Sequence, residues 1–172
     1  MRIFEDIQDT VIGLASGYAG DKVMGRATTA LSGMESQDAK EQEKKVSPGI
    51  SYNIAAGDLA KRAGMQLTEE QASRVGSLFH LGLGLGGGEA YVAMRRRFGL
   101  SPVVSSLIVS LGLWLSVDEG LTPAMGWSAP DADYPLETHV RALAGHLALG
   151  TTIAAVAEVL AWLMRRPLGK GR

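Results

Sequence analysis

Residues 142–164 read ALAGHLALGTTIAAVAEVLAWLM, a run bounded by Arg141 and Arg165 that contains only one histidine and one glutamate as ionisable side chains. A helix needs about 20 mostly apolar residues to cross the hydrocarbon core of a bilayer. Two further runs meet this requirement: residues 75–94, which lie between two arginines, and residues 101–117, which carry no charge. Three such runs from residue 75 onward are typical of an integral membrane protein.

The N-terminal segment, residues 7–31, is a weaker candidate because it contains ionisable residues from Asp9 to Arg26. It also carries a ridge of residues repeated every four positions, namely Gly13, Gly17, Asp21 and Gly25. Small residues at this spacing let two helices approach closely within a membrane. We therefore expect a tilted first span whose polar residues face the bundle interior. The alternative is an amphipathic helix lying in the membrane interface.

These patterns predict an all-α fold, a polytopic transmembrane helical bundle that forms one membrane domain over residues 1–172. The predicted spans are residues 7–31, 75–94, 101–117 and 142–164. A polar loop, residues 32–74, separates the first two spans, and a turn-rich outer loop, residues 118–138, separates the last two. Within the polar loop, residues 50–64 read as a short amphipathic helix, and Thr68 begins a capping box that leads into the second span.

Composition excludes several classes of function. The chain has no cysteine, which rules out disulfides, thiolate metal sites and cysteine nucleophiles. Its formal net charge is −1 and no broad basic surface is evident, so a nucleic-acid partner is not expected. Glycine is abundant, at 22 of 172 residues. Because glycine is common in membrane helices, this abundance agrees with close packing inside a bilayer.

The basic residues predict the orientation in a bacterial inner membrane, because lysine and arginine accumulate in cytoplasmic flanks. Three arginines, residues 95–97, lie between the second and third spans, and a further basic group follows the fourth span at Arg165, Arg166, Lys170 and Arg172. The loop over residues 118–138 is acidic and contains no lysine or arginine. We therefore expect a cytoplasmic C-terminus and an outer location for the acidic loop.

With this orientation the ionisable residues sort by depth. A predicted proton- or ion-responsive cluster lies at the outer boundary and comprises His80, Asp118, Glu119, His139 and His146. Two carboxylates, Glu89 and Glu158, lie in the inner half. Ionisable residues inside a membrane usually face the bundle interior or a water-filled cavity, often along a proton or ion route. Hydrogen bonding between helices, with no further role, is the simpler alternative.

No catalytic, metal or cofactor site is predicted. Haem held between His80 and His146 is a minor alternative, since both histidines lie at similar depth on different helices. His139 and His146 are seven residues apart, roughly 10 Å along a helix, which is too far to chelate one metal ion easily. Residues 82–87 match the dinucleotide-binding pattern G-x-G-x-x-G only formally, because no strand precedes them. Close helix packing explains Gly84 and, on the fourth span, Gly150 better.

The second half of the chain contains an ordered series of short motifs: Phe79-His80-Leu81-Gly82-Leu83-Gly84, Asp118-Glu119-Gly120-Leu121-Thr122-Pro123, Gly126, Ser128-Ala129-Pro130, Tyr134-Pro135, His139, Gly145-His146 and Gly150. In order and spacing this series resembles the YagU-like family of bacterial inner-membrane proteins, best from about residue 75 to residue 160. The resemblance implies a multi-pass inner-membrane protein with a tie to acid tolerance. It supplies no catalytic residues.

Two functional hypotheses follow. The first is a small membrane protein that responds to protons or ions through its outer histidine and carboxylate cluster, because histidine changes charge in mildly acid solution. The second is a structural or accessory subunit that packs against a larger membrane complex or against copies of itself. An enzyme is less favoured, because no nucleophile and base can be paired. Under the first hypothesis His80, His146 and the Asp118-Glu119 pair should converge in space.

Overall fold

The computed structural model describes residues 2–164 together with Leu168, with side chains from residue 4 onward. Helices make up 84% of the described residues, which contain no strand, so the predicted all-α class is confirmed. The helices are α1 (Arg2–Met34), α2 (Gln37–Val46), α3 (Ser51–Arg62), α4 (Glu69–Arg97), α5 (Pro102–Leu113), α6 (Thr122–Ala124) and α7 (Leu136–Leu163). A π-helical segment, Trp114–Leu121, continues α5 into α6, and a 3-10 turn, Asp131–Asp133, precedes α7. The C-terminal basic residues Arg165, Arg166, Lys170 and Arg172 lie outside the described residues.

Among the described residues, two stretches of helix are long and apolar enough to cross a membrane, Pro102–Ala124 and Leu136–Leu163. They overlap the third and fourth predicted spans in all but one terminal residue each. Helices α1 and α4 have 33 and 29 residues, about 50 and 43 Å at 1.5 Å per residue, so their length is sufficient but their charge content is higher. The bundle is organised around α1, which packs against α4 and α7, while α5 packs against α7.

Glycines allow α1 and α4 to cross with their backbones in contact. A Cβ atom built on Gly17 would lie 2.8 Å from the Cα of Leu85, and one built on Gly88 would lie 2.7 Å from the amide nitrogen of Gly17. Real Cβ atoms do not approach backbone so closely. At Gly13 the added Cβ would meet the side chain of Glu89. A side chain at any of these glycines would push the two helices apart.

Two other glycines of the predicted packing set behave differently from each other. A Cβ on Gly150 of α7 would lie 2.6 Å from the carbonyl oxygen of Ser106, so Gly150 lets α5 and α7 touch. A Cβ on Gly25 would meet nothing within 4 Å. The glycine ridge of α1 therefore makes helix contact at Gly13 and Gly17 but ends before Gly25, which borders an open groove.

The polar segment between the first and second long helices folds into α2 and α3, which we call the cap (residues 37–62). Helix α2 begins at an N-cap serine, Ser36, whose hydroxyl accepts a hydrogen bond from the backbone of Ala39. Helix α3 packs against the start of α4 at Gly76, where an added Cβ would lie 2.8 Å from the backbone nitrogen of Asn53. The predicted capping box is present at Thr68, the N-cap of α4.

The predicted outer loop begins later than expected. Residues 118–138 were expected to form turns, but the chain stays helical through Ala124. Pro123 lies inside this continuous helix, where its nitrogen has no hydrogen to donate to a carbonyl of the preceding turn. The hydroxyl of Thr122 also donates to the carbonyl oxygen of Asp118 at 2.9 Å. As a result Asp118 and Glu119 lie on a π-helical segment and not in a loop.

Candidate functional site

The three histidines of the chain lie at one end of the bundle, which we call the histidine end. It comprises Asp21, His80, Asp118, Glu119, His139 and His146, and it lies beneath the cap. On α4, the Nδ1 atom of His80 is 2.7 Å from the Oδ1 atom of Asp21 on α1. The Asp21 side chain is only 6% exposed, and its other oxygen accepts from the ammonium group of Lys22 at 2.9 Å. The backbone contact between α1 and α4 is what brings this carboxylate to the imidazole.

Tyr52 of the cap connects this pair to the next. Its ring meets the His80 ring edge to face, with centroids 5.1 Å apart and planes at 82°. Its hydroxyl donates to the Oδ1 atom of Asp118 at 3.3 Å. Burial, and secondarily the charge of Asp118, raises the pKa of Tyr52 well above its ordinary value. The phenol therefore remains a hydrogen-bond donor throughout the physiological pH range.

His146 of α7 is almost fully buried beside Asp118. Its Nδ1 atom donates to the backbone carbonyl of Ala142 at 3.0 Å and lies 3.7 Å from the Oδ2 atom of Asp118. Asp118 thus stands between the phenol of Tyr52 and the imidazole of His146. A carboxylate shared by a neutral donor and a titratable ring changes its contacts when the ring gains a charge.

The third histidine, His139, forms a separate group at the entrance of α7. Its Nδ1 atom is 3.0 Å from a carboxylate oxygen of Glu119, and its Nε2 atom is 3.0 Å from the backbone oxygen of Asp131. A neutral imidazole carries one N–H, so only the protonated ring donates to both acceptors. Asp131 lies beside the same group, and burial, together with the nearby Glu119 carboxylate, raises the pKa of Asp131.

Solvent reaches this end through an open cavity of about 720 Å³ between the cap and the bundle. Its lining includes His80, Asp118, Glu119 and His139. A smaller cavity of about 20 Å³, lined by His80 and His146 among others, lies deeper. That volume accommodates about one water molecule and not a porphyrin. The described residues contain no group of three or more metal-ligating side chains arranged to hold an ion.

The opposite end of the bundle, which we call the arginine end, comprises Asp9, Glu89, Arg95, Arg96 and Glu158. The guanidinium of Arg95 donates to Glu158 at 2.6 Å, and the Tyr91 hydroxyl donates to the same carboxylate at 3.0 Å. Arg96 pairs with Asp9 at 2.9 Å, joining α4 to α1. Neither cavity of the histidine end is lined by Glu89 or Glu158.

The structure thus brings His80, Asp118 and His146 together around Tyr52, while Glu119 turns to His139. Tyr52 was missed by sequence reasoning, although it is the first aromatic side chain of the short amphipathic helix predicted at residues 50–64. A second missed group lies on α7: Arg141 donates to Glu35, which precedes the cap, and, at 2.6 Å, to Glu43 in the cap. These contacts link segments about 100 residues apart, which local patterns do not reveal.

Comparisons with family models, with curated proteins and with solved structures find no match for this chain. What the arrangement can do must therefore be argued from its own geometry.

Proposed function

We propose that the chain is a four-span protein of the bacterial inner membrane whose histidine end responds to protons. The response is a movement of the cap, and its physiological role is acid tolerance, in keeping with the resemblance to the YagU-like family. The main support is that each of the three imidazoles lies within 3.7 Å of a carboxylate. One of these carboxylates, Asp118, also binds the cap through Tyr52.

Exposed apolar side chains support the proposal that α1 and α4, the two less apolar long helices, also span the membrane. On α1, Val11, Leu14 and Tyr18 are exposed, and on α4 Leu78 and Phe79 are exposed. A bilayer would cover these side chains.

The charged residues of α1 and α4 also support the proposal that both helices span the membrane. Asp9 pairs with Arg96, and Asp21 pairs with His80 within the bundle. Charges that are paired inside a bundle are tolerated at membrane depth.

The arginine end faces the cytoplasm in this proposal, because residues 95–97 supply three consecutive arginines to a short connection between helices. The cap and the acidic loop then lie on the outer side, and the C-terminus is cytoplasmic. The cavity of about 720 Å³ opens to the same outer side, so external pH acts directly on the cluster.

Protonation would act through Asp118. A positive charge on His146 attracts the Asp118 carboxylate from 3.7 Å, and a charge on His80 acts on it from beyond the Tyr52 ring. Asp118 is also the acceptor for the Tyr52 phenol. Protonation therefore weakens the Tyr52–Asp118 contact, which is one of those that join the cap to the bundle, and strengthens the contact between Asp118 and His146.

Spin-label distances would test this response. The chain has no cysteine, so labels can be placed at Lys44→Cys on the cap and Ala132→Cys in the outer loop, both exposed positions. In nanodiscs, the label separation should lengthen when the pH falls from 8 to 5. The same pair in a His80→Gln, His146→Gln background should show one distance at both pH values.

The control is the labelled protein carrying Glu70→Gln, which removes an exposed carboxylate paired only with Arg74. It should respond to pH as the unmodified background does. A label separation that is unchanged between pH 8 and pH 5 in the unmodified background would overturn the proposal. So would a change that persists without both histidines.

A second candidate, an accessory subunit of a larger membrane complex or of a homo-oligomer, is favoured by one face of α5. There Val104, Leu107, Ile108 and Leu111 are exposed beside Gly112, which leaves a shallow apolar groove of about 570 Å³. A partner helix would fill such a groove closely. Gly112→Leu should then reduce the mass of the particle purified in mild detergent, whereas a face covered by lipid predicts an unchanged mass.

A further inference from the structure

A second open groove lies between α1, α3 and α4 at the histidine end. Its volume is about 710 Å³, and it is lined by two cations, Lys22 and Arg26, and by one carboxylate, Asp21. With neutral histidine the lining therefore carries two positive charges and one negative charge, a net charge of +1. Gly25, whose missing side chain would meet nothing within 4 Å, leaves space between the two cations and the wall formed by α4.

The polar groups of this groove suit an anion. Lys22 and Arg26 are four residues apart and therefore project from the same face of α1. Arg26 forms no salt bridge with the described residues, whereas Lys22 is held by Asp21 at 2.9 Å and by the Tyr18 ring at 5.2 Å. Across the groove, Ser73 and Ser77 supply hydroxyl groups from α4. Arginine, lysine and hydroxyl groups together are the usual partners of a phosphate.

The surface below the groove suits acyl chains. Tyr18 and Leu14 lie one and two turns before Lys22 on the same side of α1, and their side chains are 52% and 41% exposed. Basic side chains therefore stand directly above an exposed apolar stripe, as the headgroup of a phospholipid stands above its chains. A soluble phosphate compound has no acyl chains that would contact this stripe.

We infer that the groove lined by Lys22 and Arg26 binds the phosphate headgroup of an anionic phospholipid, with the acyl chains along Tyr18 and Leu14. The inference rests on the bilayer placement proposed above but not on the titration of the histidines. It places a lipid headgroup beside the Asp21–His80 pair, since Lys22 binds Asp21 directly.

Thermal unfolding of the full-length protein in a neutral detergent would test the site. Added phosphatidylglycerol should raise the melting temperature in a saturable way, and phosphatidylcholine should not. Arg26→Gln should raise the phosphatidylglycerol concentration at half effect about fivefold, the effect of one basic group near an anionic lipid. Arg26 is exposed and has no ion pair among the described residues, so the folded structure should survive the substitution.

Two controls make the result specific. Lys61→Gln removes an exposed cation at the end of α3 that does not line the groove, and it should leave the half-effect concentration unchanged. Glycerol phosphate tests the soluble alternative: an equal stabilisation by this compound would overturn the lipid assignment. Equal effects of the two phospholipids, or no difference between Arg26→Gln and the wild type, would also overturn it. The spin-label response to pH, measured in phosphatidylcholine nanodiscs, is independent of these outcomes and tests the proposed function alone.

Discussion

The two ends of the bundle pair their carboxylates with different cations. At the arginine end Glu158 and Asp9 are held by guanidinium groups, and the Arg95 side chain is only 8% exposed. At the histidine end Asp21, Asp118 and Glu119 each lie beside an imidazole, and Asp21 also binds Lys22. An arginine is charged at every pH that a cell meets, whereas a histidine changes charge between about pH 5 and 8.

Pairs of permanent charges hold helices together in the same way at pH 5 and at pH 8. Pairs that include histidine hold them in a way that depends on pH, and only the histidine end borders the cap. The bundle therefore has one end whose stability is independent of pH between 5 and 8 and one end whose stability depends on pH.

Gly17→Leu should abolish folding, because α1 and α4 carry paired residues of both ends and their backbones touch at Gly17. We expect a loss of about 4 kcal/mol or more in the free energy of unfolding, a loss that few single substitutions cause. The measurements are the helix content and the particle size of the protein in detergent. Gly25→Leu, on the same helix but facing open space, is the matched control and should fold. Equal behaviour of the two variants would mean that α1 does not pack as described.

Glu158→Gln should destabilise the arginine end by about 3 kcal/mol, because it leaves the buried Arg95 without its carboxylate. The loss should be the same at pH 5 and pH 8, since the arginine that loses its partner is charged at both pH values. Denaturant unfolding in mixed micelles measures it. Glu70→Gln, which breaks an exposed pair with Arg74, should lower stability by less than about 1 kcal/mol. If the stability lost in Glu158→Gln depended strongly on pH, the two ends would not differ in the way described.

Asp21→Asn should lower stability by about 2 kcal/mol at pH 5 and by less at pH 8. The carboxylate holds both Lys22 and His80, and a protonated His80 needs the negative charge more than a neutral ring does. The unfolding free energy at the two pH values is the quantity to compare. A larger loss at pH 8 than at pH 5 would contradict the assignment of His80 as the group that gains a proton.

Asp131→Asn should have the smallest effect, and it should be stabilising. Burial and Glu119 raise the pKa of Asp131 in the folded state, so the folded protein binds this proton more readily than the unfolded chain does. The wild type therefore gains stability as the pH falls through the raised value, and near pH 7 the charged carboxyl is unfavourable. Asparagine should raise stability at pH 7 by roughly 0.5 kcal/mol or less. The difference from wild type should disappear in acid.

The cap should stay attached through its other contacts while its histidine contact changes. Asp58 on α3 accepts a hydrogen bond from the Trp127 indole at 3.0 Å. This bond, and then Arg62, keeps the pKa of Asp58 below its ordinary value. A group with a lowered pKa keeps its contribution until the pH falls through that value. The cap is therefore expected to pivot about the Asp58–Trp127 contact in mildly acid solution and not to detach.

Local patterns predicted much of this molecule, because long apolar runs, glycine spacing and helix caps depend on near neighbours. The long helices, the α3 helix and the Thr68 capping box are all of this kind. The continuation of α5 as a π-helix was not predictable from Gly120 and Pro123, which suggest a turn. Tyr52 was missed because its partners, His80 and Asp118, lie far away in the chain and meet it only after the cap has folded onto the bundle.

Histidine and arginine side-chain NMR in nanodiscs tests the division between the two ends most directly. With ¹⁵N-labelled histidine and arginine, the imidazole signal of His139, whose pKa is raised by its hydrogen bond to Glu119, should pass from the neutral to the protonated form between pH 8 and pH 5. The Nε signals of Arg95 and Arg96 should keep their positions over the same range, because an arginine stays charged at each of these pH values. A His139 imidazole signal that stays unchanged, or arginine signals that move as far as that of the histidine, would contradict the account.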